Sequence, residues 1–430
     1  MVLSSKDNVM EIRQPGSGIM AKIRVPGSKS ITQRTLVVAS LAEGKSDLKG
    51  PLDSEDTQFL RNALSCLGIS IKDKGSDWTV EGQGGRILPI SQDLYLGNNG
   101  TGIRFLTSLV ALGQGTYRLT GTGRMAERPI GPLLDALKAW GVDARSVENT
   151  GCPPVEIKAH GLEGGETLLS ASKSSQYLSS LLLVAPIAGK QARIILDGSL
   201  VSRPYVDLTL AVMAAFGVKV QDEGDSFLVP HMTYKARKYQ IEGDASSASY
   251  FWAAAAVTGG RITVENIPQD ALQGDAAFAD LLVSMGCSVK KDLKGVTVQG
   301  PSCGVLKAIE VDMGQWPDVV PTLAVVAAFA KGTTVIKNVA HLRIKETDRL
   351  KAVAQELSKI GASVKELEDG LIIEGAMDMH GSLINTYDDH RIAMAFSVAG
   401  LRVPGIRIKD PDCVQKSFPS FWQHWQKITG

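Results

Sequence analysis

The sequence contains no apolar run long enough to cross a bilayer. Its longest such stretches, Leu178–Ala188 and Val319–Ala330, are well short of the roughly 20 residues that a membrane-spanning helix needs. The first residues include no basic segment leading into an apolar one, so no secretory signal is recognisable. We therefore expect a cytoplasmic protein.

Cysteine and histidine are scarce and form no recognisable pattern. The five cysteines are odd in number and include no C-x-x-C pair, which argues against a disulfide framework and against a zinc cluster. His160, His231, His380 and His424 have no partner at metal-ligand spacing. The expectation is reduced, mostly structural cysteines and no bound metal.

The chain also lacks an excess of charge of either sign. Its 46 Lys and Arg against 45 Asp and Glu give a net charge of +1, so no field of the whole protein attracts a nucleic acid or an anionic membrane. The glycine-rich segments 82–85 and 121–123 match neither a phosphate loop nor a dinucleotide fingerprint. Any basic site must be local, and no cofactor is expected.

What the sequence does contain is an internal repeat. A polar cluster, a helix-length run rich in Ala, Leu, Val and Ser, a glycine and a β-branched stretch follow one another six times. With 430 residues, of which 44% are hydrophobic, the chain is large enough for two or three domains. The repeated glycines are 68 to 74 residues apart: Gly44, Gly115, Gly189, Gly259, Gly332 and Gly400.

Most copies contain a second pattern, an amphipathic helix that ends in Leu or Met, three residues and a glycine suited to a left-handed C-cap. The five segments are Leu64–Gly68, Leu137–Gly141, Met213–Gly217, Leu282–Gly286 and Leu357–Gly361. Alternating strands are expected after them, for example at residues 69–71, 218–220 and 363–364. Each unit is therefore predicted to be strand–helix–strand–helix–strand.

The first helices of the units are apolar nearly all round, which predicts that they are central and buried. These predicted helices are Thr101–Gly113, Gln176–Ala188, Ala248–Thr258 and Val319–Ala330. The second helices carry charges, so we expect them outside the sheets that enclose the central helices.

Polar residues collect where each buried first helix begins. The clusters are Lys29-Ser30, Asn98–Thr101, Ser174–Gln176, Asp244–Ser247, Asp318 and Asp389–Arg391. Free N–H groups and the positive end of a helix favour an anion there. The helix dipole disfavours a cation at these positions unless a bound anion offsets the repulsion. The cations in or near the clusters are Lys29, Arg34, Arg104, Arg128, Lys345, Arg349, Arg391 and Lys416. A phosphorylated or carboxylated ligand is predicted.

Several of these residues have a simpler interpretation. Ser, Thr, Asn and Asp at helix starts are common caps, and Ser30 with Gln33 matches a capping box. Asp318 is either an N-cap or a buried base with a raised pKa. His390 either titrates or is only a polar residue held by a capping aspartate.

The segment from Lys345 to Arg349 reads Lys-Glu-Thr-Asp-Arg. On one helical turn its two cations would repel each other unless an anion lay near them. The alternative is a solvated helix start in which Glu346 and Asp348 neutralise the two cations.

Together these segments closely resemble the 5-enolpyruvylshikimate-3-phosphate synthase family. The resemblance runs from about Pro26 to Lys416, in the order of the family's motifs. The matching segments are Pro26–Ser30, Gly97–Thr101, Arg124–Pro129, Ser174–Gln176, Glu242–Ala248, Lys345–Arg349 and Asp389–Arg391.

The resemblance implies an α/β fold, a two-domain inside-out α/β barrel built from six βαβαββ repeats, as in enolpyruvyl transferases. Residues 26–241 would form one domain of three repeats, and residues 1–25 plus 242–430 the second. The chain would cross between them near Val25 and Glu242, with the active site in the cleft.

The resemblance also implies a transferase of the shikimate pathway, in aromatic amino-acid biosynthesis. The enolpyruvyl group of phosphoenolpyruvate would move to the 5-hydroxyl of shikimate 3-phosphate, giving 5-enolpyruvylshikimate 3-phosphate and phosphate through a tetrahedral intermediate. No cofactor or metal is expected, and the resemblance implies that the inhibitor glyphosate would occupy the phosphoenolpyruvate position. A monomer is expected.

Site residues follow from the matching motifs. Shikimate 3-phosphate would be bound by Lys29, Ser30, Arg34, Ser174, Ser175, Gln176, Ser202, Asp318 and Lys345. Phosphoenolpyruvate would be bound by Lys29, Gly100, Arg128, Gln176, Arg349, Arg391 and Lys416. By the same resemblance Asp318 serves the acceptor hydroxyl, Glu346 serves the methylene carbon, and Lys29 stabilises the bridging charge.

Three positions stay open in this resemblance. Some members have Asn where this chain has His341, so His341 receives no role. In the segment Ser-Arg-Pro-Tyr, which varies in the family, either Arg203 or Tyr205 lines the substrate.

Three other functions fit part of this pattern less well. The related UDP-N-acetylglucosamine enolpyruvyl transferases typically carry a reactive cysteine in a mobile loop, and Gly115–Gly131 contains none. RNA 3′-phosphate cyclases of similar repeat fold need a nucleotide site and an RNA-binding surface, which the charge and motifs do not indicate. A non-enzymatic anion-binding protein would not need to keep Asp318, Glu346 and Lys29.

Overall fold

The computed structural model describes residues 3–4, 8–15, 18–375 and 378–430, with the backbone alone for 3–4. The chain divides into two compact units. The continuous unit is Gly27–Ile241, and the discontinuous unit consists of Met1–Pro26 with Glu242–Gly430. Within the described ranges, every helix is too short or too polar to cross a membrane.

Six α-helices lie in each unit. Those of the continuous unit are α1 (Lys29–Leu41), α2 (Glu55–Cys66), α3 (Gly100–Val110), α4 (Gly131–Ala139), α5 (Ser175–Val184) and α6 (Arg203–Ala215). Those of the discontinuous unit, in its described part, are α7 (Ala245–Thr258), α8 (Phe278–Ser284), α9 (Val320–Ala327), α10 (Arg349–Lys359), α11 (His390–Gly400) and α12 (Phe421–Thr429). Short 3₁₀ helices are Met125–Glu127, Ala185–Ile187, Gly274–Ala277, Pro317–Val319, Ala340–Ile344 and Pro411–Lys416.

Three four-stranded sheets belong to the continuous unit, and in each the first two strands are parallel and the others antiparallel. Their strands, in spatial order, are Lys238–Gln240, Glu43–Lys49, Asp77–Gln83 and Ser70–Lys74; Leu94–Tyr95, Gln114–Thr120, Val155–His160 and Asp143–Ser146; and Gly165–Ser170, Ala192–Asp197, Ser226–Val229 and Gln221–Asp222.

The discontinuous unit has three sheets of the same pattern. Their strands, in spatial order, are Met20–Ile23, Arg261–Val264, Gly295–Gln299 and Ser288–Asp292; Glu310–Asp312, Thr333–Lys337, Leu371–Glu374 and Ser363–Glu366; and Leu383–Ile384, Arg407–Lys409, Val9–Glu11 and Leu3–Ser4. Leu306–Lys307 and Ala330–Lys331 form a further parallel pair.

These six sheets confirm the predicted α/β fold of six βαβαββ repeats. The second, third and fifth repeats are continuous in sequence. Each of the other three repeats includes a strand from a distant segment of the chain. Lys238–Gln240 completes the first sheet, Met20–Ile23 completes the fourth, and Val9–Glu11 pairs in the sixth.

The first helix of each repeat is buried, as predicted. All residues of α7 except Thr258 are buried, because its alanine-rich sequence has no polar face to expose. The helices α1, α3 and α5 pack together in one unit and α7, α9 and α11 in the other. Three predicted C-terminal ends were wrong. The helix α3 stops at Val110, and α5 stops at Val184, where a 3₁₀ helix follows. The helix α9 stops at Ala327, because Ala330 and Lys331 pair as a strand.

The predicted C-cap glycines are confirmed. Gly68, Gly141, Gly217, Gly286 and Gly361 have φ angles between +83° and +99°, each two residues after the helix ends. Strands follow as expected at Ser70–Lys74 and Ser363–Glu366. The strand predicted at 218–220 was wrong. The Val218 N–H still closes the end of α6 by bonding the Met213 carbonyl, and pairing begins only at Gln221.

Candidate functional site

In the continuous unit, α1 begins at Lys29 with Ser28 as its N-cap. The Ser28 hydroxyl accepts a hydrogen bond from the Ile31 N–H at 3.3 Å. The capping box expected between Ser30 and Gln33 was therefore wrong, because Ser30 lies inside the helix and Gln33 is buried beyond it. The helix start is free of acidic residues in its first turn.

Lys29 is bonded to a carboxylate of the neighbouring outer helix. Its Nζ lies 3.0 Å from Asp56 Oδ2, and the Asp56 side chain is 3% exposed. Asn99 donates from Nδ2 to the Asp56 carbonyl at 2.7 Å, while Asn99 Oδ1 caps α3 by accepting from the Gly102 N–H at 2.8 Å. The starts of α1, α2 and α3 are thus joined by side chains.

Gln176 joins the start of α5 to α3. Its Oε1 accepts from Arg104 Nη1 at 2.5 Å, and its Nε2 donates to Thr101 Oγ1 at 3.0 Å. Arg104 also donates to the Pro129 carbonyl at 2.8 Å. Ser174 caps α5, and Ser175 is its first residue, so both lie at this helix start.

Arg128 lies directly against the backbone of Gly100. It donates from Nη1 to both the carbonyl oxygen and Oδ1 of Asn98, each at 3.0 Å. A Cβ added to Gly100 would lie 2.5 Å from Arg128 Nη2. Glycine is therefore what allows this guanidinium to approach the start of α3.

Arg34 is buried under the same helix starts. It donates from Nε to Thr209 Oγ1 at 2.7 Å and from Nη2 to the Tyr205 carbonyl at 3.0 Å. Burial lowers the pKa of its guanidinium to about 10. Ser202 is buried and has a left-handed φ of 54°. Arg203 pairs with Asp207 and Asp222 nearer the surface. Within the described residues, Tyr205 rather than Arg203 therefore contacts Arg34.

In the discontinuous unit, Arg349 is held by three carboxylates. It donates to Asp389 Oδ2 at 2.7 Å, to Asp318 Oδ1 at 3.0 Å and to Glu346 Oε2 at 2.8 Å. Burial opposes the charge of this guanidinium, but the three carboxylates outweigh burial and raise its pKa above the usual value. The start of α10 is thereby joined to those of α9 and α11.

Two interpretations of Asp318 were open, and the first, an N-cap of α9, was wrong. It lies in the 3₁₀ turn before α9, and its carboxylate accepts from Arg391 Nη2 at 2.8 Å as well as from Arg349. The second interpretation, a buried base with a raised pKa, was wrong about the direction of the pKa shift. Burial favours protonation, but the charges of Arg391, Lys345 and Arg349 outweigh it and hold the pKa of Asp318 well below its usual range.

The segment before α10 is a bend and not a helical turn. Lys345 and Arg349 are therefore not stacked on one turn as predicted, and Asp348 caps the helix by accepting from the Lys351 N–H at 3.1 Å. The solvated alternative was also wrong for Glu346, whose side chain is 10% exposed.

Three further polar side chains belong to this cluster. His341 is buried, and burial, followed by the charge of Lys345, lowers its pKa to about 4, so it is neutral at pH 7. His390 occupies the first turn of α11, with Nδ1 3.7 Å from Asp389 Oδ1. Lys416 is buried at the end of a 3₁₀ helix, and its charge acts on Asp388.

A carboxylate that sequence reasoning missed lies at the start of α7. Asp275 is buried and accepts a hydrogen bond from Ser246 Oγ. Burial, and next the negative charge of Asp318, raise the pKa of Asp275 to about 6. It follows Gln273, whose side chain accepts from the Ala245 N–H at 3.0 Å.

The structure thus gathers the sequence-predicted residues into two clusters, one in each unit. The continuous-unit cluster contains Lys29, Ser30, Arg34, Gly100, Arg128, Ser174, Ser175, Gln176 and Ser202. The discontinuous-unit cluster contains Asp318, Lys345, Glu346, Arg349, Arg391 and Lys416. Four polar residues were not assigned. Asp56, Asn98 and Asp389 bond cations, and Asp275 accepts from the Ser246 hydroxyl. Asn98 and Asp389 could have been found from the sequence, because they lie in the polar clusters at helix starts. Asp56 and Asp275 lie outside those clusters, so no sequence signal marks them.

Comparison with known proteins adds a family to this geometry. The family model for EPSP synthase (3-phosphoshikimate 1-carboxyvinyltransferase) matches residues 13–425. A 3-phosphoshikimate 1-carboxyvinyltransferase of Syntrophobacter fumaroxidans is 43% identical over 96% of this chain and 98% of its own length. One from Sulfurovum is 44% identical over 96% of this chain and 97% of its own length.

Solved structures agree with the sequence relatives. The EPSP synthase of Acinetobacter baumannii superposes with a TM-score of 0.81 at 29% identity, covering 98% of both chains. The fold, the order of the motifs and the relatives point the same way. The chain therefore belongs to the EPSP synthase family, the 3-phosphoshikimate 1-carboxyvinyltransferases.

Proposed function

We propose that this protein transfers the enolpyruvyl group of phosphoenolpyruvate to the 5-hydroxyl of shikimate 3-phosphate, releasing phosphate. The observation that best supports this chemistry is a pair of carboxylates on one guanidinium, with Arg349 bonding Asp318 at 3.0 Å and Glu346 at 2.8 Å. In the addition, the methylene carbon gains a proton and the acceptor hydroxyl loses its proton as its oxygen bonds to C2 of phosphoenolpyruvate. In the elimination, the new methyl group loses a proton as the C–O bond to phosphate breaks and phosphate leaves. Two carboxyl groups in one cluster suit these two tasks.

Asp318 is proposed to accept the proton of the 5-hydroxyl. Its carboxylate is ionised at neutral pH, because the charges of Arg391, Lys345 and Arg349 outweigh the effect of burial on its pKa. Those charges also make it a weak base in the empty protein. When anionic substrates draw the arginines toward themselves, the proton affinity of Asp318 rises, so substrate binding itself prepares the base.

Glu346 is proposed to exchange a proton with the methylene carbon, and Lys29 to stabilise negative charge on the bridging oxygen. The other cations bind the two substrates. Lys29, Ser30, Arg34, Ser174, Ser175, Gln176, Ser202, Asp318 and Lys345 are assigned to shikimate 3-phosphate. Lys29, Gly100, Arg128, Gln176, Arg349, Arg391 and Lys416 are assigned to phosphoenolpyruvate.

Finer properties of this proposal are a cytoplasmic location, a monomeric protein and inhibition by glyphosate at the phosphoenolpyruvate position. The proposal includes no metal and no organic cofactor. These properties rest on the family resemblance and are tested separately from the reaction.

The direct experiment measures phosphate release from phosphoenolpyruvate with and without shikimate 3-phosphate. Release only in the presence of shikimate 3-phosphate supports the proposal. Release dependent on UDP-N-acetylglucosamine instead, or no release with either acceptor, would reject it. Adding a chelator to the same assay tests whether a metal takes part.

The roles of the two carboxylates are tested by Glu346→Gln and Asp318→Asn. Each substitution keeps the shape of the side chain but removes its ability to transfer a proton, so we expect kcat to fall by about 10²-fold or more. Asp348→Asn is the matched control, because Asp348 lies in the same segment and caps α10. If a Glu346 or Asp318 variant keeps the kcat of the control, the replaced residue has no role in proton transfer.

A further inference from the structure

Lys29 carries its charge at an unfavourable position. It is the first residue of α1, where the helix dipole opposes a cation, and the first turn contains no acidic residue to compensate. The side chain is 13% exposed, so water screens the charge only weakly. A lysine also has a flexible stem of four carbons and no preferred direction of its own. Something else must decide where the ammonium group points.

Asp56 lies within reach to do this. Its Oδ2 is 3.0 Å from Lys29 Nζ, and its side chain is almost completely removed from water. Asp56 comes from α2, an outer amphipathic helix to which the resemblance assigns no site residue. An ion pair with so little exposure is far less screened than a surface pair.

Asp56 is itself held firmly. Its carbonyl accepts from Asn99 Nδ2 at 2.7 Å, which ties it to the capped start of α3. The start of α2 is closed by a capping box between Ser54 and Thr57. The preceding loop is tied to α1, because the Leu52 N–H donates to Thr32 Oγ1 at 3.0 Å. Asp56 is therefore tied to the starts of α1 and α3, two of the helix starts whose residues are assigned to the substrates.

We propose that Asp56 is a positioning residue that holds the ammonium group of Lys29 in its productive direction. This inference rests on the proposed function, in which Lys29 stabilises charge on the bridging oxygen. An ammonium group has three N–H donors. With one of them donated to Asp56, rotation of the ammonium group is restricted, which sets the direction from which it meets the anion that develops during the reaction.

The proposal predicts opposite effects on turnover and on binding. Replacing Asp56 by Asn keeps the size of the side chain but removes a negative charge beside a site for anions. Substrate binding should therefore become no weaker. The ammonium group, however, loses the charged acceptor that directs it, because an amide oxygen accepts more weakly than a carboxylate. Misplacement of a catalytic group by about 1 Å costs up to about 10²-fold in rate.

The experiment measures kcat and both KM values for wild type, Asp56→Asn and Asp77→Asn. Asp77 is the matched control, because it also bonds a lysine, Lys49 at 2.6 Å, and a backbone N–H, that of Gly50 at 3.0 Å. It belongs to the same unit but to no helix start. For Asp56→Asn we expect kcat to fall between about 10-fold and 100-fold with KM values unchanged or lower. Asp77→Asn should keep the wild-type kcat.

A double-mutant cycle shows that the effect passes through Lys29. In a Lys29→Met background, Asp56→Asn should cause no further loss of kcat, because the group it positions is gone. Asp56→Glu, which keeps the charge but moves it by one methylene, should retain more kcat than Asp56→Asn. Both comparisons use proteins that keep a buried polar residue at position 56.

Four results would overturn the inference. They are a wild-type kcat in Asp56→Asn, an equal loss in Asp77→Asn, higher KM values with unchanged kcat, and a full further loss in the Lys29→Met background. If wild type itself releases no phosphate from the two substrates, the proposed function fails and the inference fails with it. An active wild type with an equally active Asp56→Asn variant overturns the inference alone.

Discussion

Arg349 shows how single residues of this site compensate one another. Its side chain is 1% exposed and lies among Asp389, Asp318 and Glu346. Three negative charges are therefore within hydrogen-bonding distance of one positive charge. Such a group exchanges partners when a new anion arrives, because the carboxylates repel one another. In the proposed reaction, anionic substrates would draw the cations of this cluster out of these ion pairs.

Gly100 allows a prediction about ligand size. A methyl group at this position would lie 2.5 Å from Arg128 Nη2, so Gly100→Ala must displace the guanidinium or any ligand bound beside it. Glyphosate is longer than phosphoenolpyruvate and needs this space more. We expect wild type to be inhibited competitively with phosphoenolpyruvate, and Gly100→Ala to weaken inhibition more than it raises the KM for phosphoenolpyruvate.

Inhibition and substrate constants are measured side by side for both proteins. Equal losses for the two ligands would mean that the displaced Arg128 disturbs the whole pocket. A wild type that glyphosate does not inhibit would contradict the assignment of Gly100 to this pocket.

Asp275 predicts a pH dependence of stability. Burial raises its pKa to about 6 from the 3.8 of an unperturbed aspartate. Between these values the folded protein keeps a proton that the unfolded chain has lost, so this group stabilises the fold at low pH. The stabilisation disappears as the pH rises through about 6. Asp275→Asn should therefore become more stable relative to wild type from pH 4 to pH 6 and then stay level.

The measurement is the free energy of unfolding in urea at a series of pH values. Asp280→Asn is the control, since Asp280 lies on the neighbouring helix α8 with a side chain that is 57% exposed. Its difference from wild type should not rise over this range. Parallel curves for Asp275→Asn and wild type would show that Asp275 does not titrate there.

At the scale of elements, the contact of α1 with its sheet depends on a glycine. A Cβ at Gly82, in the strand Asp77–Gln83, would lie 2.2 Å from the Ala42 carbonyl oxygen and 2.3 Å from that of Ala39. Backbone atoms at a helix end cannot move aside as a side chain can. The end of α1 therefore lies on the sheet at a distance that only glycine permits.

Gly82→Ala should accordingly destabilise the protein by about 3 kcal/mol, as overpacking in a rigid core does. Gly75→Ala is the control. Gly75 has a φ of +65° but nothing within 4 Å of an added Cβ, so the strain of a left-handed residue alone should cost about 1 kcal/mol. Urea unfolding of both variants measures the difference. Equal losses would mean that the sheet shifts to admit the methyl group.

At the scale of the whole molecule, the two units differ in how their sheets are completed. All strands of the three continuous-unit sheets lie between Gly27 and Ile241. The discontinuous unit needs the N-terminal segment, since Met20–Ile23 pairs with Arg261–Val264, and Val9–Glu11 pairs with Arg407–Lys409.

This difference predicts the behaviour of fragments. Residues 27–241 should fold alone, because they include a complete core, whereas residues 242–430 should not unfold cooperatively, because two sheets lack strands. Joining residues 1–26 to residue 242 by a short linker should restore folding, since the Asp244 N–H bonds the Pro26 carbonyl at 2.8 Å. Circular dichroism during urea unfolding distinguishes the three fragments. A cooperative transition of 242–430 alone would contradict the prediction.

The sequence by itself determined the features that depend on near neighbours. The six repeats, the buried helices such as α7, and C-cap glycines such as Gly141 follow from local periodicity and from backbone angles that favour glycine. The cations at helix starts, such as Lys29, are visible in the same way.

Only the tertiary structure decided which distant segments meet. Lys238–Gln240 completes the sheet of Glu43–Lys49, and Asp56 bonds Lys29. Arg349 bonds the distant Asp389 as well as the nearby Glu346. It also showed that Asp318 is an arginine-bound carboxylate and not a cap. The physical reason is that strand pairing and buried ion pairs are stabilised by contacts between residues far apart in the chain, and no local periodicity records those contacts.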